Sequence, residues 1–202
     1  MRTAPLVLAL LLAGIPASAQ MPTEPPGKPD VSRVTAGTYA IEPRHTQIRF
    51  TVMHFGFTPF SGFFSGASGS LTIDPAKPNA ASVSIEVPTN TALVTVPKLT
   101  DELRSPMFFD PDKYPTMKFV SSKVVVHGKR ATISGQLTMH GQTHPLTLEA
   151  SFVGAGPSRG KQAVGFTATG TLKRSDYGIT AVLPLVSDEV KIDIAAAFEK
   201  PE

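Results

Sequence analysis

The sequence predicts an all-β fold, an eight-stranded antiparallel barrel with a short helix or loop covering one mouth. Three observations predict it. Apolar and polar residues alternate with a period of two in one segment after another. Short turn signals, not helical stretches, separate most of those segments. One long stretch, 88–115, breaks the alternation and is long enough to cover an opening.

The first clear segment is 48–54, where the even positions Ile48, Phe50, Val52 and His54 share one face. Segments 62–73 and 116–126 are weaker strands. In 81–87 the odd positions are apolar, and 131–137, 146–152, 164–172 and 190–198 alternate in the same way. The residues expected to face inward are Ile48, Phe50, Val52 and His54, then Phe63 and Leu71, then Ile85, Phe119, Ile133, Leu148, Phe166, Ala168 and Ile192. Asp74-Pro75 through Pro78-Asn79 interrupts one pair of strands, and His127-Gly128 and His140-Gly141 have hairpin-turn composition. About eight strands joined mostly by short hairpins suit an up-and-down barrel. Such a barrel either fills itself with side chains or holds one ligand, and alternation does not separate the two. Small inward residues such as Gly135, Ala168 and Gly170 would leave room.

Within 88–115, Leu99 and Leu103 have helical spacing, and Phe108 and Phe109 follow. The expectation is a short helix over one mouth. Leu99, Leu103 and Phe108 would then either gate a ligand or plug the core, and both readings stay open.

The N-terminus predicts export. Arg2 precedes an apolar run from Leu6 to Ile15, and Ala17-Ser18-Ala19 supplies small residues for cleavage after Ala19. The run is too short to span a bilayer. No Cys follows it, so no lipid anchor is expected. Residues 1–19 are therefore a signal peptide, 20–36 a Pro-rich flexible linker, and 37–199 the barrel domain, in the periplasm or secreted.

The 202 residues contain no cysteine, which excludes thiol catalysis and thiolate metal sites. A net charge of +3, scattered along the chain, makes no case for nucleic acid. Motifs for nucleophilic, metal-dependent or dinucleotide chemistry are missing from the sequence. The five histidines are dispersed: His127 and His140 sit beside turn glycines, and His140 and His144 straddle a hairpin. No catalytic residue, metal or cofactor is expected. His54 is either a satisfied core histidine or a contact for a ligand head group at the mouth.

Several blocks resemble the YceI-like proteins, a lipocalin-like family associated with polyisoprenoid and lipid binding. They are Tyr39 to His45, His54-Phe55-Gly56, Leu103 to Asp110, Lys113 to Phe119, Gly135 to Gly141, Arg174 to Gly178 and Val186 to Val190. The resemblance implies an eight-stranded barrel with an apolar tunnel, a periplasmic location, often a homodimer, and binding without turnover. It brings Arg104 forward as a phosphate contact or an exposed loop residue, and Arg174 with Asp176 as a loop-fixing ion pair. Asp101-Glu102 stands where the family usually has Asp-His before the leucine, so ligand choice can differ.

Three functions follow for test: a carrier of a long apolar lipid such as a polyisoprenoid, isoprenoid quinone or fatty-acid-type chain; a barrel enzyme acting on a small apolar substrate; and a stress-related scaffold without ligand. The absence of polar chemistry favours the carrier.

Overall fold

The computed structural model describes residues 23–201, so the expected signal peptide and its cleavage site lie outside the described residues. Ten strands form one antiparallel sheet: β1 Gly37–Ile41, β2 Gln47–His54, β3 Thr58–Phe64, β4 Ser68–Ile73, β5 Ser82–Pro88, β6 Thr116–His127, β7 Arg130–Met139, β8 Gln142–Ser158, β9 Lys161–Lys173 and β10 Glu189–Glu199. Helix α1, Pro97–Leu103, lies between β5 and β6. β1 pairs with both β4 and β10, and this closes the sheet.

The ten segments make eight barrel strands, because β1–β2 and β3–β4 are each one strand with a bend. On β10, Phe198 faces Ile41 and Ala195 faces Gln47, so six residues advance on one side against three on the other. The surplus residues bulge at 42–46. Glu42 fills the bulge from within: its carboxylate accepts from the backbone N–H groups of Arg44 (3.2 Å) and His45 (2.8 Å). Thr46 Oγ1 completes the edge by accepting from Ala197 N at 3.2 Å. Bulges bend a strand and sharpen its twist, as closure of a barrel requires.

The second bend falls at residues 65–67. Gly66 adopts φ = +68°, a conformation costly for a side chain. Thr91 Oγ1 holds the bend, accepting from Ser65 N at 3.2 Å and donating to the Pro88 carbonyl at 2.7 Å.

The remaining strands run up and down through two-residue turns at Gly128–Lys129, His140–Gly141 and Arg159–Gly160. The third turn is absent from the sequence expectation, since β8 and β9 extend past segments 146–152 and 164–172. The stretch expected as a flexible linker is ordered in its second half. Lys28 exchanges two backbone hydrogen bonds with Ala155, and Val31–Arg33 form a 3-10 turn. Among the described residues no helix is long and apolar enough to cross a membrane.

Candidate functional site

The barrel is hollow. A cavity of about 970 Å³ extends from His54, Leu172 and Val190 at one end to Phe152, Phe166 and Ala196 at the other. That is roughly thirty times the ~30 Å³ share of a water molecule and sits at the top of the usual ~300–1,000 Å³ range for ligand pockets. The hollowness has a local cause. Ala131 on β7, Ala150 on β8 and Ala168 on β9 lie side by side in register, and all three line the cavity. Three methyl groups stand where larger residues would meet across the axis. The alternation placed Ala131 and Ala150 inward, but only their register on adjacent strands makes them a belt.

Of the inward positions expected from sequence, Ile48, Phe50, Val52, His54, Leu71, Ile85, Phe119, Ile133, Leu148, Phe166, Ala168 and Ile192 line the cavity. Phe63 does not. It is 42% exposed and pairs across the strand with Arg49, whose side chain meets Asp193 on the outer face. The expectation carried one parity through 62–73. The bend at Gly66 shifts that parity by one residue, so Phe60 and Phe64 point inward before it and Leu71 after it. Phe64 is 4% exposed and meets Phe50 and Phe109, with ring centroids 5.5 and 5.1 Å away.

Helix α1 covers the His54 end. Pro97 begins it, where a missing N–H costs nothing. Leu99, Leu103 and Phe108 line the cavity from above. The cover is tied down from beneath: buried Thr100 accepts from Val94 N through its hydroxyl at 3.1 Å. Arg104 does not line the cavity; its Nε donates to the Ala92 carbonyl at 3.0 Å, which pins the end of the helix to the preceding segment. Of the two readings open for Arg104, the structure shows an exposed residue whose Nε anchors the helix end.

The same end is closed by the loop between β9 and β10, from which Ile179, Val182 and Val186 reach the cavity. One side chain organises it. Arg174 is 5% exposed and donates to four backbone carbonyls: Ile179 (3.0 Å), Ala181 (2.8 Å), Val186 (2.9 Å) and Ser187 (2.9 Å). The ion pair expected between Arg174 and Asp176 is not among the salt bridges of the described residues, because the guanidinium donors are committed to these four carbonyls. Asp188 takes up the loop from the other side, accepting from Ser175 N at 2.9 Å and Ser175 Oγ at 2.7 Å. Burial pulls the Arg174 guanidinium below its usual pKa, against the opposing field of Asp188. Hydrogen bonds from Ser175 hold the Asp188 carboxyl below the usual range despite some burial.

His54 is exposed at the mouth, its ring 4.5 Å from that of Phe55 and 6.2 Å from that of Phe60. His140 and His144 lie against tyrosines: His140 beside Tyr114, with its Nδ1 3.0 Å from the Tyr177 carbonyl, and His144 edge-on to Tyr177. The walls thus offer dispersion contacts along their length and a few charged or titratable groups near the ends, His54, Glu102 and Arg174 at one and Asp74, Lys129 and Arg130 at the other.

Comparison with known proteins agrees with this architecture. The Burkholderia cenocepacia protein BcnA superposes with a TM-score of 0.70 at 20% identity, covering 78% of this chain and 98% of that one. A polyisoprenoid binding domain from Saccharophagus degradans, implicated in plant cell wall breakdown, superposes at 0.60 with 15% identity, covering 81% and 98%. Both likenesses are of fold. In sequence, Protein YceI of Salmonella arizonae is 35% identical over 156 residues, 76% of this chain and 81% of its own length. Residues 39–198, which span the closed barrel, its α1 cover and the Arg174 loop, match the YceI-like domain, and the chain belongs to that family.

Proposed function

We propose that this chain is a carrier that holds one long apolar lipid, of polyisoprenoid, isoprenoid-quinone or fatty-acyl type, along the barrel axis, and that it performs no bond chemistry on it. The observation that supports this reading is the 970 Å³ chamber with walls of Val, Ile, Leu, Phe and Ala along its length. Burial of apolar carbon contributes about 0.8 kcal/mol per methylene. Roughly ten buried carbons give a gross ~8 kcal/mol, the scale of micromolar binding before ordering costs. The charged and titratable lining groups are confined to the two ends, so the long middle of the chamber meets a chain with apolar contacts. The polyisoprenoid-binding description of the Saccharophagus degradans domain points the same way.

The proposal includes export by cleavage after Ala19, residence in the periplasm and assembly as a homodimer. Native mass spectrometry of protein taken from its own periplasm, followed by lipid extraction, tests the whole reading. The expected result is a chain beginning at Gln20 with one apolar lipid per barrel. Protein that emerges empty and also fails to take up added isoprenoids would overturn the carrier reading in favour of a scaffold.

A further inference from the structure

The end of the chamber remote from α1 is bounded by a segment that lies outside the residues matching the family. β7 begins at Arg130, opposite Ser151 of β8, whereas β8 continues to Ser158. Past Phe152, whose N–H still donates to the Lys129 carbonyl at 2.8 Å, that edge of β8 has lost its β7 neighbour, and a bare edge is a costly thing to leave. Lys28 takes the vacant place. Its N–H donates to the Ala155 carbonyl at 3.1 Å, and its carbonyl accepts from Ala155 N at 3.0 Å.

β8 is shaped for this visitor. A Cβ at Gly156 would stand 2.2 Å from the Pro26 carbonyl oxygen, and one at Gly154 would stand 3.2 Å from that of Lys28. The two glycines therefore let backbone lie directly on backbone. Two further ties hold the segment to the barrel, Lys129 Nζ donating to the Pro29 carbonyl and Gln162 Nε2 to the Arg33 carbonyl at 2.7 Å, and Arg33 Nη1 closes the segment on itself by donating to the Pro26 carbonyl at 3.1 Å. Asp30 caps the 3-10 turn by accepting from Ser32 N at 2.9 Å. The result is functional in position, since Val31, Ser32 and Val34 line the chamber.

We propose that residues 26–34 are an end wall of the chamber and set the longest lipid chain it accepts. The family match begins at residue 39, so the segment assigned this role lies N-terminal to the matched domain. The inference rests on the carrier reading and adds to it a determinant of ligand length. Ties made by single backbone and side-chain hydrogen bonds are individually weak, so one substitution can release the wall and leave the barrel folded.

The test uses the full exported chain and its Gly156→Val variant, in which the new side chain occupies the position of the Pro26 carbonyl. A series of linear isoprenoid alcohols of increasing length is titrated into each delipidated protein, and hydrogen exchange at the Ala155 amide reports release of the wall. Native protein should gain affinity with length and then lose it abruptly beyond one length. In Gly156→Val, Ala155 should exchange faster and the break should move to longer chains by at least one isoprene unit. A chain lacking residues 23–35 should show the same shift and supplies the answer if the substitution leaves the wall seated. A released or deleted wall with an unmoved break would overturn the inference and leave the carrier reading intact, as would native protein with no break at all. Failure of the native protein to bind any member of the series would instead overturn the carrier reading.

Discussion

Ala168 on β9 lies directly opposite Ala150 on β8, and both methyl groups face the chamber. Ile194 on β10 completes the row on the other side of Ala168. In a solid interior an added phenyl ring at Ala168 would overpack neighbours at a cost of about 1–3 kcal/mol. Here it enters open volume. Ala168→Phe should leave the melting temperature of delipidated protein nearly unchanged while weakening binding of a fluorescent isoprenoid by tenfold or more, about 1.4 kcal/mol. Thr167→Phe, on the exposed outer face, is the control and should spare binding. An unfolded Ala168→Phe protein, or one with undiminished affinity, would contradict a hollow axis at this level.

The bend at Gly66 makes a pair of adjacent phenylalanines unequal. Phe64→Ala removes a ring buried between Phe50 and Phe109 and should cost about 3–5 kcal/mol in denaturant unfolding. Phe63→Ala trims a half-exposed ring outside the barrel and should cost under about 1 kcal/mol. Equal losses, or the reverse order, would refute the assigned inward face.

Arg174 presents a third case. Replacing it with Met keeps much of the volume and strands four carbonyls at the chamber mouth, so a loss of about 2–3 kcal/mol or more is expected. Lys should rescue little, because a point charge with three donors cannot reproduce the planar fork. Hydrogen exchange should speed up in residues 178–188 before it does in the strands. A Lys variant as stable as the native protein would show that charge, not geometry, organises the loop.

Acid should unfold the protein partly through two carboxylates. Burial alone would raise the Glu42 carboxyl, but hydrogen bonds from His45 and Arg44 outweigh it and hold the value below the usual one. Asp188 is lowered as well, chiefly by Ser175. A group depressed in the folded state stabilises fully above its unfolded pKa, about 4 for these residues, and that contribution fades as pH falls through the folded value. Stability should therefore be flat from neutral pH down to about 5 and decline below it. Glu42→Gln should be less stable at neutral pH and show a shallower decline in acid, measured by urea midpoints across the range. An unaltered slope would remove Glu42 from the account.

Much of the fold was legible because barrel strands write their two faces into the chain. The period-two pattern located most strands, and the single helical spacing at Leu99 and Leu103 located the cover. The pattern is local, and a local signal loses track of parity wherever the backbone inverts. Alternation resumes on both sides of Gly66, so nothing in residues 62–73 reveals that the face has switched between Phe64 and Leu71. Arg104 and Arg174 came forward only through the family resemblance. Their partners are backbone carbonyls, which every residue carries, and no sequence marks which carbonyl lacks a donor.

The sequence by itself determined an all-β fold, an inward apolar face on most strands, and resemblance to a family of barrels. Tertiary structure alone decided that the interior is hollow, because three alanines become a belt only when β7, β8 and β9 pair in register. It also decided that the Pro-rich extension belongs to the chamber. Proline content argues against helix and central strand, and so read as a linker. Whether such a segment finds a seat depends on an edge elsewhere, and β8 offers one at Ala155 only because β7 stops short of it. Pairing between distant strands is a relation between two segments, and neither segment carries it alone.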